Sequence, residues 1–343
     1  MPSRTNIFIT GVTGYIGGTV LQRLLHHPSS DNFHITAFLR SEDKASKLTA
    51  FGVKTIIGSL DDFNKLAQLS ADADVVIHTA SADHLEYAKA ILRGIKERFV
   101  KTGVAPILIH TSGTGVFMDD ARGEYGQDHI YYDTNIQDME SLPATAPHRN
   151  VDIEVTEADK LGYVRTFIIL PSTIYGIASG PLVDLGIQNP YSIQVPYTIR
   201  ASLARGSAAV VGQGLNVWNN VHIDEVGDLY RVVFDSALKD LNTPHGRQGY
   251  YFAENGEYSQ VELAREIGRV MHELGMAKSQ APTKLSDEEN MKYLGGWLFG
   301  TNARTKGEMG RSLGWKPVKT SRDFFASIRQ EVEALSPSSK TTN

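Results

Sequence analysis

Cysteine is absent from all 343 residues, which excludes disulfides, thiolate metal sites and a cysteine nucleophile. Long apolar runs are missing too. No stretch approaches the ~20 residues that a membrane-spanning helix requires, and the opening MPSRTNIFITG runs straight into strand-like sequence without the apolar core of a secretion signal. Nor is positive charge in excess: 34 Lys and Arg face 39 Asp and Glu, a net charge of -5, with no basic run able to neutralise a phosphate backbone. These absences predict a cytoplasmic protein without nucleic-acid or membrane partners. What is present, 41 % hydrophobic and 21 % charged residues, suffices to bury a core as one large domain or a domain plus a lobe.

Short β-branched runs recur in the first half, at 6–10, 34–39, 53–57, 75–79, 107–111 and 164–170, each of a length suited to a strand buried on both faces. Stretches with helical spacing separate them, at 16–25, 44–51, 63–69 and 85–100. Strand and helix in alternation imply right-handed crossovers and an α/β fold built on a doubly wound, parallel Rossmann sheet. After Pro171 the pattern changes. Gly, Pro and Asn punctuate 176–220, followed by a helical stretch at 225–238, a short strand at 250–253, and a helix opened by Ser259 with Glu262 completing a capping box. The division expected is a Rossmann domain over 1–175 to which 205–240 contribute, a smaller, mainly substrate-binding α/β lobe over 176–335, and a disordered tail, SPSSKTTN, over 336–343.

Directly after the first strand stands Thr10-Gly11-Val12-Thr13-Gly14-Tyr15-Ile16-Gly17-Gly18. Gly11 permits a tight turn, Gly14 lets the backbone approach a pyrophosphate, and Gly17 allows the helix to lie close on the strand, while the helix N-terminus faces the phosphate charge. Elsewhere three glycines would be an ordinary turn. At the first strand-to-helix junction of such a series they imply dinucleotide binding, through Gly11, Thr13, Gly14, Tyr15, Ile16 and Gly17. The second strand ends in Phe38-Leu39-Arg40-Ser41, where an NAD-preferring protein places an acid on the ribose hydroxyls. Arg40 can take a 2′-phosphate there, with Ser41 and Lys44 adding donors, so the cofactor expected is NADP(H).

These residues, with Gly58-Ser59-Leu60-Asp61, the HTSG of 110–113, Pro171-Ser172-Thr173-Ile174-Tyr175-Gly176, the run VGQGLNVWNNVHIDEV of 211–226 and the LGWKP of 313–317, resemble the extended short-chain dehydrogenase/reductase family, in particular its epimerase/dehydratase-like members of fungal type. The resemblance spans roughly 5–335. It implies Ser59 and Leu60 beside the adenine, Ala80 and Ser81 beside the adenosine and pyrophosphate, and Pro171 and Ser172 near the nicotinamide. It also implies a catalytic Tyr with a Lys four residues later, and here the sequence departs from the family. Four residues after Tyr125, Tyr131 and Tyr132 stand His129, Asn135 and Ile136, and the window in which the pair belongs, 144–152, reads ATAPHRNVD.

His148 and Arg149 are the chemically capable residues of that window: an imidazole titrates near neutrality, and an Arg can hold a ribose as the Lys does. Ser112, at the end of the fifth strand, occupies the place from which the family's Ser or Thr polarises a carbonyl. Tyr131 and Tyr132, in a long 115–146 loop expected over the cleft, offer phenols from another direction. His222 and Asp224 resemble a metal pair, but their place in the family is structural, and no metal is expected. The sequence supports an NADP(H)-dependent oxidoreductase acting on a small carbonyl compound or activated alkene, of the kind found in secondary metabolism. An epimerase, isomerase or lyase that recycles bound NADP(H), and a non-enzymatic NADP(H) sensor with a protein partner, are the alternatives. Apolar residues of 176–195, among them Leu182 and Ile187, are expected to line a substrate pocket, which favours an enzyme. Monomer and homodimer remain open.

Overall fold

The computed structural model describes residues 4–336. The first half alternates as β1 (Thr5–Thr10), α1 (Tyr15–Leu25), β2 (Phe33–Leu39), α2 (Glu42–Thr49), β3 (Lys54–Ile57), α3 (Phe63–Ala71), β4 (Val75–His78), α4 (Leu85–Thr102) and β5 (Ile107–Thr111). Each follows an expected run, with ends shifted by a few residues. The middle of the chain adds β6 (Tyr131–Tyr132), α5 (Ile136–Ser141), α6 (Arg149–Lys160), β7 (Arg165–Pro171), β8 (Thr173–Tyr175), α7 (Pro181–Asp184) and α8 (Gln194–Arg205). Then come β9 (Ala209–Val210), β10 (Val217–His222), α9 (Ile223–Lys239), β11 (Tyr250–Ala253), β12 (Glu257–Ser259) and α10 (Gln260–Glu273), the last opened by the expected Ser259–Glu262 capping box.

The central sheet has seven parallel strands in the order β11-β7-β5-β4-β1-β2-β3. Successive side chains of β1 fall on opposite faces: Ile7 and Ile9 join Leu21, Val226 and Val233 in one apolar cluster, whereas Phe8 joins Ile91, Val155 and Leu108 in another. Helices α1 and α9 therefore cover one face, and α3, α4 and α6 the other. The strand order reverses between β1 and β4, and such a switch point opens a crevice at the carboxyl ends of the strands.

The chain leaves the sheet at Pro171 and returns to it. Strand β11 pairs with β7, Tyr250 opposite Ile168, and α9 packs on α1. A second body forms from the three-stranded sheet β12-β10-β8 with α8, α10 and the helix Ser321–Leu335, around Trp218, Ile267 and Phe324.

Two segments differ from expectation. The 176–195 stretch does not present its apolar residues to a pocket; Leu182 and Ile187 are fully buried in the cluster that contains Leu21, and Gln188 bonds to Gln22 and to the Tyr15 carbonyl. Their hydrophobicity serves packing on α1. Nor does the 115–146 stretch hang free over the cleft. Gly123 N donates to Gly300 O at 2.7 Å, Asn302 to Asp119 at 2.9 Å, and β6 pairs with Thr305–Lys306. Of the expected tail, Ser336 is buried with its hydroxyl on the Glu333 carbonyl, and 337–343 lie outside the described residues. Among the described residues no helix is long and apolar enough to cross a membrane, and no group of three or more His, Asp or Glu side chains is placed to hold a metal ion.

Candidate functional site

The glycine turn after β1 meets the carboxyl ends of β2 and β4 in a cleft of about 190 Å³ lined by Gly11, Thr13, Gly14, Arg40, Ser59, Leu60 and Ala80, among others. Each glycine is there for a different reason. Gly11 has φ +77°, and a Cβ on it would lie 2.6 Å from Thr79 Oγ1. At Gly17 a Cβ would lie 2.2 Å from the Gly11 carbonyl, so the protein's own packing forbids a side chain at both positions. Gly14 differs: its backbone is extended, and a Cβ would meet a single atom, the Gly11 carbonyl at 3.1 Å, leaving the rest of that space open toward the cleft. A side chain at Gly14 would enter the cleft, in the space a cofactor pyrophosphate would take.

Arg40 is exposed at the rim and makes no ion pair or hydrogen bond among the described residues, while Ser41 caps α2 by accepting from Lys44 N at 3.3 Å. The Tyr15 ring is buried against Ala178 and Ile223, and its hydroxyl donates to the carbonyls of Tyr175 and Gly176. Only the backbone of Tyr15 and Ile16 is at the helix N-terminus. The residues present fit a dinucleotide: an open glycine cradle at a helix start, with an unpaired guanidinium where the adenosine ribose ends. Gly14→Val is therefore expected to lose cofactor affinity in a nicotinamide-fluorescence titration while the circular dichroism spectrum stays native; unchanged affinity would mean that the turn does not cradle phosphate.

At the other end of the crevice the expected catalytic residues separate into two groups. Ser112, His148 and Pro171 converge: a Cβ added to Gly113 would lie 3.3 Å from His148 Nε2 and 3.8 Å from the Pro171 carbonyl. His148 caps α6 in the left-handed conformation, φ +65°, which is uncommon for a residue with a side chain and costs on the order of 1 kcal/mol. Asp83 holds it there, accepting from both His148 N at 3.2 Å and Nδ1 at 2.6 Å. That hydrogen bond is the chief reason the Asp83 carboxyl is held below its ordinary range. With Nδ1 engaged, Nε2 is left facing the Gly113–Gly115 turn.

Ser112 Oγ donates to Asp152 Oδ2 at 2.9 Å, and both residues are buried. Asp152 stands four residues after His148, one turn along α6, so the two share a face of the helix. Its carboxyl is pushed up to about 7, first by burial, with the Ser112 hydrogen bond pulling the other way. Its second oxygen has no hydrogen-bond partner and lies 3.8 Å from His110 Nε2, and His110 Nδ1 meets His78 Nδ1 at 2.9 Å. Burial holds His78 and His110 far below the ordinary imidazole range, so both are neutral. Asp152, Asp83, His110 and His78 were not among the residues expected. One signal was available in the sequence: Asp152 occupies the plus-four spacing from His148 that a Lys occupies in the family pattern.

Tyr131 and Tyr132 do not join this group. Tyr131 stacks on Phe117, ring centroids 4.2 Å apart, with His129 against its edge, and Tyr132 lies outward in the β6 pairing; neither hydroxyl has a hydrogen-bond partner among the described residues. Arg149 departs as well. One residue past His148 it is turned about 100° around the helix, donates through Nη1 to Tyr250 Oη at 2.9 Å, and lines a groove that shares no residue with the cofactor cleft. Ser172 is engaged by its own neighbourhood, its hydroxyl on the Ala253 carbonyl at 3.0 Å, and His222 caps α9 and meets Lys319 Nζ at 3.0 Å.

Residues 11–140 match the NAD(P)H-binding family. Over 354 aligned residues the chain is 30 % identical to a protein named Oxidase ucsJ from an Acremonium species, covering 96 % of this chain and 98 % of that one. A 4-hydroxy-2-methyl-3-oxo-4-farnesyl-3,4-dihydroquinoline-1-oxide ketoreductase from Stigmatella aurantiaca is 30 % identical over 119 residues, about a third of each chain (33 % and 34 %). Among solved structures, the dTDP-glucose 4,6-dehydratase of Bacillus anthracis in complex with NAD superposes with a TM-score of 0.64 at 17 % identity, over 98 % of this chain and 97 % of that one.

Proposed function

The chain belongs to the extended short-chain dehydrogenase/reductase family of NAD(P)-binding proteins, and from that premise we propose that it is an NADP(H)-dependent oxidoreductase reducing a small carbonyl compound or activated alkene, with secondary metabolism as its setting. The observation that carries this reading is that His148, with Nε2 beside Gly113, and Asp152, which accepts from the Ser112 hydroxyl, stand one turn apart on α6, in the window where the resemblance implies the family's Tyr-Lys pair. The relatives named as an oxidase and a ketoreductase support the reaction class.

When bound, the cofactor supplies the hydride. The chain's own residues supply the rest. Ser112 donates its hydroxyl hydrogen to the substrate oxygen and so stabilises the negative charge that develops there. His148, fixed by the bond of Nδ1 to Asp83, delivers a proton from Nε2 to that oxygen, and the neutral ring left behind keeps its Nδ1–H on Asp83 until solvent restores the Nε2 proton. Hydride and proton together account for the two hydrogens added across the double bond. Asp152 sets the direction in which Ser112 points its hydrogen.

Arg40 gives the cofactor preference. A guanidinium without an acid partner at the ribose end favours the 2′-phosphate of NADP(H), and Arg40→Asp is expected to invert the order of NADPH and NADH affinities, the loss for NADPH being roughly ten- to a hundredfold. Titration with both nucleotides, followed by NADPH oxidation across a panel of aldehydes, ketones and enones, tests the whole reading. Equal affinities would remove the preference, and no oxidation with any member of the panel would remove the reductase.

A further inference from the structure

Between α5, α6 and residues 242–250, on the side of α6 away from Ser112, runs a cavity of about 710 Å³. Its walls include half-buried or buried apolar side chains (Ile136, Met139 and Ile153), the Thr156 hydroxyl, the phenol of Tyr250, amides and charges. Nearly all of those charges are already matched. Glu140 pairs with Arg247, Lys160 with Glu157 at 3.1 Å, and His245 with Asp159 at 2.8 Å. Arg149 is the exception.

The residue is buried, with only 6 % of its surface exposed. Among the described residues it has no carboxylate within ion-pair distance, its Nε has no hydrogen-bond partner, and its side chain bonds only to a neutral phenol, Tyr250 Oη. A cation out of water and short of acceptors is costly, and proteins keep one where a negative group completes it. Two acids feel Arg149: Glu140 is committed to Arg247, and Asp152 has Ser112 on one oxygen and is held partly protonated near neutrality by its burial. The missing negative charge has to come from elsewhere.

We propose that this cavity is a second ligand site, separate from the cofactor crevice, that takes a small organic acid with its carboxylate on Arg149 and its apolar body along Ile136, Met139 and Ile153. A carboxylate matches the planar fork of a guanidinium, and that of Arg149 lines the cavity with Nη1 alone hydrogen-bonded among the described residues, to Tyr250. The apolar wall between the matched ion pairs selects a hydrocarbon tail over a second charge.

The test is calorimetric titration of the full chain at low salt with straight-chain monocarboxylates from butanoate to decanoate, with the amide of each as its uncharged counterpart. At least one carboxylate is expected to bind saturably at one site, its amide at least tenfold more weakly. Arg149→Met is expected to weaken the carboxylate at least tenfold. Because that change sits in a buried position, Ile153→Trp, which fills the half-buried wall without touching the cation, is the companion variant and should weaken binding equally. NADPH titration of Ile153→Trp should match the wild type, which shows that the chain is folded and separates this site from the cofactor reading. No saturable binding by any carboxylate, equal binding of acid and amide, or full retention of binding in folded Ile153→Trp would each overturn the proposal.

Discussion

His148→Phe should lower the rate of NADPH oxidation by roughly 10² to 10⁴, the usual contribution of a positioned general acid, while NADPH affinity stays within a few-fold of the wild type. The ring remains, and with it the packing over Gly113 and Gly115; what is lost is the proton on Nε2 and the Nδ1 bond to Asp83. Asp83→Asn separates the two functions of that bond. Asn can still accept from Nδ1–H, so the ring keeps its place, but it no longer stabilises the charged ring electrostatically, and a loss smaller than that of His148→Phe is expected. Wild-type turnover in His148→Phe would remove the imidazole from the reaction.

What could be read in the sequence was whatever depends on neighbours in the chain. The glycines of TGVTGYIGG, the Ser259 cap and the β-branched strands announce themselves locally, because turn geometry, capping and period-two burial involve residues a few positions apart. The place of Arg40 at the rim of the cleft was legible for the same reason: it stands one residue past the end of β2. The return of the chain to the central sheet was not, since β11 pairs with β7 across some eighty residues and nothing in the tetrapeptide Tyr250–Ala253 names its partner. The apolar residues of 176–195 were misassigned because hydrophobicity does not say whether a side chain faces a ligand or a helix. Within the candidate site, Ser112 and His148 were proposed by position, while the buried polar groups near them, Asp152, His110 and His78, come from β4, β5 and α6 and are brought together only once the sheet is assembled. Arg149 shows the cost of reading a helix as a string: one residue is a rotation of about 100°, enough to move a cation from the crevice to the far groove.

Ser112 can donate to a substrate only when it is not donating to Asp152, and this ties turnover to the protonation of a buried carboxyl. Below pH of about 7 the Asp152 carboxyl is mostly protonated, its O–H donates to Ser112 Oγ, and the serine hydrogen is free for the substrate oxygen. Above it the carboxylate accepts that hydrogen instead. The groups facing Asp152 are His110 from β5, His148 and Arg149 from its own helix, Asp83 and Tyr250; His110 is neutral, and the two cations and Asp83 oppose one another. The rate should therefore fall as pH rises through about 7. Asp152→Asn supplies a permanent amide donor of the same shape, so its rate should exceed that of the wild type above pH 7 and keep only the fall that comes from loss of the His148 Nε2 proton, whereas Ser112→Ala should fall by roughly 10² to 10³ at every pH. Stability gives a readout independent of turnover. The folded carboxyl is raised above the ~3.9 of an unfolded Asp, so its contribution is fully present below about pH 4 and is lost as pH climbs through about 7. Glu331, also raised to about 7 by burial, declines in parallel, so the quantity to follow is the difference between Asp152→Asn and wild type in denaturant unfolding. That difference should grow in favour of the variant between pH 5 and pH 8, by on the order of a few kcal/mol. A difference that does not change with pH, together with an unaltered rate profile, would place Asp152 outside the working of Ser112.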